Sequence, residues 1–320
     1  MITVSVCMIV KNEEEVIKRC LECVSGFADE IIVVDTGSTD KTKEIALSYT
    51  EKVYDFEWID DFSAARNYAF SKAKMDYLMW IDADDTIGPE DIQKLIELKS
   101  TMPESIDAVK MKYNVAFDAN GKPSYTYYRE RLLRRERNFM FKGAVHEAIA
   151  VGGNVLFSDI AVEHRKVRRS DPERNLRIYE KLVSKGEKLE PRDEFYYARE
   201  LYYNKQYEKA SKLLNNVIDN ENAWIENRIE ACKVLSQCQS ALGNKEASLI
   251  AAVRSMWIDS PRAEMCCVIG DHLLTEKKYK AAVFWFETAM QIPINDKSGA
   301  FVLPEMYGYY PALQLCVCYY

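Results

Sequence analysis

The chain has 320 residues, 48% of them hydrophobic and 29% charged, with a formal net charge of -7. This is a globular composition, large enough for one big domain or two ordinary ones around a real core. The acidic balance excludes nucleic acid as the main partner, since a phosphate-binding face would have to be basic. No apolar run approaches the roughly twenty residues that cross a bilayer. The N-terminal run over 2–10 is only nine long and lacks the basic flank of a signal peptide, so a cytosolic chain without a membrane span is expected. Nine cysteines, an odd number with no framework spacing, read as reduced thiols. Cys20 and Cys23 form a lone CxxC, which fits packing on one helix face better than half of a zinc site.

The first hundred residues alternate in type. TVSVCMIV (3–10) is a β-branched run, residues 13–25 carry Val16, Ile17, Cys20, Leu21 and Val24 at helical spacing, and EIIVVD (30–35) is a second strand. Ser38 or Thr39 is the expected N-cap of a helix over 42–49. KVYDFEW (52–58) reads as a third strand, DFSAARNYAFSKA (61–73) as a third helix and DYLMWID (76–82) as a fourth strand. That rhythm predicts a parallel sheet covered on both faces, with ligands beyond the carboxyl ends of its strands. Lys11 and Asn12, Asp35 to Ser38, Asp60 and Asp61, and Asp82, Asp84 and Asp85 all fall at those ends, so four segments converge on one rim.

Three carboxylates within four positions repel one another and call for a positive partner. A helix N-cap at Asp85 or Thr86 would explain one of them and leave two. Residues 107–165 are strand-like and irregular, broken by the turn DANGKP, and are expected to complete the sheet and bring further residues to the rim.

Beyond Asp171-Pro172 the pattern turns helical. KQYEKASKLL, GNKEASLIAA and KKYKAAVFWF repeat, with Ala210, Ala247 and Ala282 spaced 37 and 35 apart, close to the roughly 34-residue period of tetratricopeptide helix pairs. Ala198, Tyr202, Leu242 and Leu274 sit where first helices should be. The final PALQLCVCYY reads as the first helix of a fourth unit, which either has been trimmed, the favoured reading, or packs elsewhere.

SVCMIVKNEE, IIVVDTGSTDKT, SAARNYAF and WIDADD, in this order and spacing, resemble a family 2 glycosyltransferase of the GT-A fold. The resemblance covers residues 1–165. It implies a Rossmann-like α/β domain with a mostly parallel sheet (1–170), a linker helix (171–190) and an all-α tetratricopeptide-like repeat domain (191–320). It also implies a nucleotide-sugar donor, a UDP-sugar, and a divalent cation, Mn or Mg, bridging the diphosphate. In the family's pattern Asp82 contacts the ribose or a metal-bound water and is counted with the metal residues, Asp84 binds the metal, Asp85 is an added or alternative ligand, and His164 completes the shell unless it is structural.

Asp35 either reads the nucleotide base or forms the turn before Thr36-Gly37, and Thr36 stands where many relatives carry a second aspartate. Arg66 matches the ARN arginine, as a phosphate contact or an internal ion pair with the acidic rim, and Lys11 counts among the donor-binding residues. FKGAVHEAI resembles the family's G-x-V-H-E segment, which makes Glu147 the catalytic base and gives His146 the task of orienting it or touching the acceptor. Two basic runs flank this segment, Arg129, Arg131, Arg134, Arg135, Arg137 and Arg165, Lys166, Arg168, Arg169, and the first forms either part of a lid over the diphosphate or an acceptor groove, or a solvated face paired with Glu130 and Glu136.

The layout looks like bacterial peptide glycosyltransferases of the sublancin type, which implies inverting transfer to a peptide or protein side chain, with the repeats receiving the acceptor or forming a homodimer interface. An envelope saccharide or lipid-linked glycan is the alternative acceptor. A scaffold that has lost activity is the alternative of another class.

Overall fold

The computed structural model describes residues 1–167, 171–295 and 302–320, so Arg168 and Arg169 of the second basic run lie outside the described residues. The chain divides into two compact units, Met1–Pro172 and Glu173–Tyr320. The first opens with β1 (Val4–Val10), α1 (Ile17–Ser25), β2 (Glu30–Asp35), α2 (Thr42–Leu47), β3 (Val53–Asp55), α3 (Phe62–Lys72) and β4 (Tyr77–Trp80). β5 (Asp85–Thr86), α4 (Pro89–Thr101), β6 (Ala108–Phe117), β7 (Pro123–Arg134), β8 (Phe141–Lys142), β9 (Ala148–Ile149) and β10 (Val155–His164) follow.

Eight strands form one sheet in the order β3-β2-β1-β4-β7-β6-β10-β5, while β8 and β9 make a small ribbon of their own. The four N-terminal strands run parallel, and β7 lies antiparallel to both β4 and β6. Strand alternation sorts the core onto two faces. Val4, Val6, Met8 and Met79 pack with Ile17, Cys20, Leu21 and Val24 of α1. Cys7, Ile32, Val34 and Trp80 pack with Ala69 and Phe70 of α3. Burial on both sides is why these strands are apolar almost throughout. Cys20 of the CxxC pair is part of this packing.

Two local expectations are corrected. The helix foreseen over 13–25 begins at Ile17, because Asn12 adopts φ 56° and Glu13 turns the chain by accepting the amides of Val16 and Ile17. Neither Ser38 nor Thr39 caps α2. Asp40 accepts the Thr42 amide at 2.9 Å, while Ser38 Oγ and the Thr39 amide bond to Asn12. The side chains expected to cap the helix instead tie the β1 and β2 ends together.

The second unit is helical: α5 (Arg174–Ser184), α6 (Pro191–Tyr203), α7 (Tyr207–Asp219), α8 (Ile225–Ala241), α9 (Lys245–Ile258), α10 (Ala263–Thr275), α11 (Tyr279–Gln291) and α12 (Tyr309–Tyr319). α6 with α7, α8 with α9 and α10 with α11 are neighbours in space. The turn within each pair has the same construction. Lys205, Gly243 and Lys277 take positive φ (59°, 81° and 57°). Each donates its amide three residues back, and the following residue donates five back to the first helix of the pair. This is the closure of a Schellman-type helix end, and its recurrence shows one helix-turn-helix design used repeatedly. Among the described residues no helix is long and apolar enough to cross a membrane.

Small residues let paired helices approach closely. A Cβ at Gly270 of α10 would lie 2.6 Å from the ring of Phe286 on α11, and that ring is fully buried. Gly270→Ala is therefore expected to lower stability by about 1–3 kcal/mol through overpacking, measured as a lower midpoint in urea for the second unit's transition.

Candidate active site

β5 and β10 pair antiparallel, and the register sets His164 directly opposite Asp85. Two residues far apart in sequence thus become cross-strand neighbours at the sheet's edge. His164 Nδ1 lies 3.2 Å from Asp85 Oδ1 and 3.4 Å from Asp84 Oδ1. Asp84, Asp85 and His164 each offer a ligand atom, all within 4.8 Å of one another, and they form the group that could hold a metal ion among the described residues. Burial works against charge on His164, yet its hydrogen bonds to Asp84 and Asp85 prevail and its pKa is pushed up to about 10. A cation bound here would take the imidazole in its neutral form. Arg19 of α1 donates to the carbonyls of Asp84 and Arg165, and the Arg165 amide donates to Asp84 O, which locks the loop from behind.

The positive partner of the acidic cluster is supplied largely by the chain itself. Arg131 is fully buried, and its Nη1 lies 3.1 Å from Asp85 Oδ2 and 3.1 Å from the carbonyl of Trp80. Its guanidinium sits over the rings of Trp80 at 3.8 Å and Tyr113 at 4.3 Å. This corrects the reading of the run 129–137 as one lid or one solvated face. Arg129 does pair with Glu130 at 3.5 Å, whereas Arg134 and Arg137 reach Asp107 and Arg135 bonds to the carbonyl of Met75. The cause is a β-bulge. Leu132 opposes Val109 and Glu130 opposes Lys110, leaving Arg131 as the extra residue, turned inward.

Asp82 stands apart from the Asp84, Asp85 and His164 group. Its Oδ1 accepts from Arg66 Nη2 at 2.7 Å, and Arg66 Nε donates to Glu147 Oε1 at 2.6 Å. Burial pushes the Asp82 pKa up, but Arg66 and then Arg131 reverse this and hold it below the usual carboxylate range. Arg66 is buried beneath Trp80 and Phe141, and the two carboxylates outweigh its desolvation and raise its pKa. Of the two roles considered for Arg66, the internal ion pair is the one formed here.

The bridge exists because α3 carries the segment around Glu147. Asn67 exchanges two hydrogen bonds with the backbone of Phe141, Ser63 donates to Gly143 O and the Phe62 amide to Ala144 O. Asn67 and Ser63 lie in the quoted SAARN stretch, yet nothing local in the sequence says that they grip a loop some eighty residues away.

Asp35 is almost wholly buried, and its Oδ1 accepts the amides of Gly37 and Ser38 at 2.7 Å each. Gly37, at φ 101°, permits the turn. The turn-forming reading is therefore realised by one oxygen, while Oδ2 is buried without a hydrogen-bond partner. Lys11 is exposed just past β1. Asn12, Asp60 and His146 all have positive φ (56°, 63° and 52°) although none is glycine. Such strain gathers at functional sites.

A mostly parallel α/β sheet that brings carboxylates and a histidine to its strand ends is a GT-A-like transferase domain. Residues 5–165, just over half of the chain, match the family described as glycosyl transferase family 2, and the chain belongs to that family. It is 36% identical over 152 residues to a TPR repeat-containing protein of Synechococcus elongatus, covering 47% of this chain and 36% of that one. It is 28% identical over 242 residues to the SPbeta prophage-derived glycosyltransferase SunS of Bacillus subtilis, covering 71% of this chain and 56% of that one. The chain thus spans between about a third and somewhat over half of these relatives' lengths. Among solved structures it is similar to S. aureus TarS in complex with UDP-GlcNAc, at 16% identity and a TM-score of 0.40, over 85% of this chain and 92% of that one.

Removing one partner of a buried ion pair strands the other. Arg131→Met is expected to destabilise the first unit by about 3–5 kcal/mol. The charge-balanced Arg131→Met/Asp85→Asn should recover much of that loss in equilibrium urea unfolding of the whole chain.

Proposed function

We propose that this chain is an inverting, metal-dependent glycosyltransferase that moves a sugar from a nucleotide-sugar, a UDP-sugar, to a peptide or protein side chain. The observation that carries the reading is the convergence of Asp84, Asp85 and His164 within 4.8 Å, beside the Asp82, Arg66 and Glu147 bridge. Two carboxylates and one imidazole are an oxygen-rich donor set with a single nitrogen, which fits Mn²⁺ well and Mg²⁺ adequately. A divalent ion held there would neutralise charge on the departing diphosphate.

The remaining work belongs to side chains of this chain. Asp35 Oδ2, a buried acceptor without a partner, suits a donor N–H on the nucleotide base. Asp82 lies where the family's pattern contacts the ribose. Lys11 stands exposed at the same rim for a phosphate. Glu147 serves as base, accepting the proton of the attacking hydroxyl or thiol, with its carboxylate oriented by Arg66. His146, its neighbour on a strained backbone, touches the acceptor or steadies Glu147. The helical repeats supply a surface for an extended peptide. This acceptor class rests on the two-part layout shared with the peptide glycosyltransferases that the sequence resembles.

The test separates donor binding from transfer. Saturation with UDP and Mn²⁺ at about 100 times Kd should stabilise the wild-type chain by roughly 2.7 kcal/mol. Asp84→Asn should reduce that Mn²⁺-dependent stabilisation and also transfer. Glu147→Gln should leave it intact yet slow transfer about 10²–10⁴-fold. Absence of stabilisation by any nucleoside diphosphate with metal would overturn the reading, and equal loss of binding in both variants would remove Glu147 from the role of base.

A further inference from the structure

Behind the candidate cation site lies a buried layer, Arg131 and Tyr113, that the transfer chemistry leaves without a task. Asp85 has both oxygens engaged. Oδ2 meets Arg131 Nη1 at 3.1 Å and the Asp82 amide at 3.2 Å, and Oδ1 accepts from Tyr113 Oη at 2.9 Å and meets His164 Nδ1 at 3.2 Å. Asp85 and Arg131 are fully buried, and Tyr113 nearly so. A carboxylate gripped from four directions cannot rotate, and it fixes the imidazole it touches.

We propose that Arg131 is a positioning residue of the cation site: acting through Asp85, it holds His164 and Asp84 at the separation a divalent ion requires. This rests on the metal-dependent reading above and adds to it a residue that no rim motif contains.

Three features favour a positioning role over simple filling of the core. A buried ion pair is a weak source of stability compared with an apolar substitute of similar volume, because both charges lose their hydration. Arg131 also leaves Nε and Nη2 without hydrogen-bond partners, an arrangement that stacking between Trp80 and Tyr113 offsets in part. And the bulge that turns Arg131 inward interrupts the register of β7 at the level of the rim, where β4 pairing ends at Met79. At this place the interrupted pairing aims a guanidinium at Asp85. Groups behind metal ligands orient them, and their loss typically weakens metal affinity about 10–100-fold.

The test titrates Mn²⁺ into the full chain with saturating UDP, following the loss of the free-ion electron paramagnetic resonance signal. Arg131→Lys keeps the charge beside Asp85 but loses the planar fork. It is expected to weaken Mn²⁺ binding about tenfold, with UDP affinity in chelator and the far-ultraviolet circular dichroism spectrum unchanged. Tyr113→Phe removes the hydroxyl that donates to Asp85 Oδ1 while leaving all three candidate ligand residues in place, and about a threefold loss is expected. Folded variants that bind Mn²⁺ as the wild type does would overturn the proposal, and if Arg131→Lys does not fold, Tyr113→Phe decides it in the same way. Wild-type chain that takes up no Mn²⁺ in the presence of UDP would overturn the metal-dependent reading itself, which separates the two failures.

Discussion

A buried guanidinium against a buried carboxylate is the constraint on which the rest of the transferase domain depends. Asp85 and Arg131 are both fully buried, and each supplies the partner that burial of an ionic group requires, with two aromatic faces completing the pocket around Arg131. Once the pair forms, it commits the elements that carry it. β7 must bulge at Arg131, β4 must end beneath it with Trp80, and β5 must pair with β10 so that Asp85 meets His164. The acidic cluster, which by itself would push its members apart, becomes the point at which four strands are fastened together.

The neighbouring cation works the other side of the same cluster. Arg66 joins Asp82 to Glu147 and so couples the end of β4 to the loop between β8 and β9. α3 presents that arginine while Ser63 and Asn67 of the same helix hold the loop by its backbone. Asp82 and Glu147 therefore share one rigid frame, as the proposed acid-base chemistry requires. Arg66 pairs with Asp82 and Arg131 with Asp85, and the titratable His164 lies beside both Asp84 and Asp85.

The helical unit obeys a simpler rule. Each pair closes with the same left-handed turn, and small residues such as Ala210, Ala282 and Gly270 lie where helices meet. Repeated local geometry of this kind needs few long-range decisions, which is why its period was visible in the alanine spacing and the type of architecture could be read without coordinates.

What the sequence determined by itself was whatever depends on short-range pattern. The apolar strand runs place the N-terminal strands, the carboxylates follow their ends, and the quoted motifs carry the family. Motif context marks His164 and Glu147 as candidates, and the structure brings the first beside Asp84 and Asp85 and the second to Arg66, while the sequence leaves the alternatives for Asp35 and Arg66 open. Tertiary structure decided the pairings. Arg131 looked like one charge in a basic run, since a bulge leaves no mark on composition, and its burial depends on Trp80 and Tyr113 arriving from other strands. Asp82 and Asp85 each meet a protein cation, because Arg66 and Arg131 come from elements distant in sequence. Local pattern records which face a residue occupies. Which charge it meets there is set only when separate strands and helices close on one another, where the free energy of burying an ion depends on the partner that arrives with it.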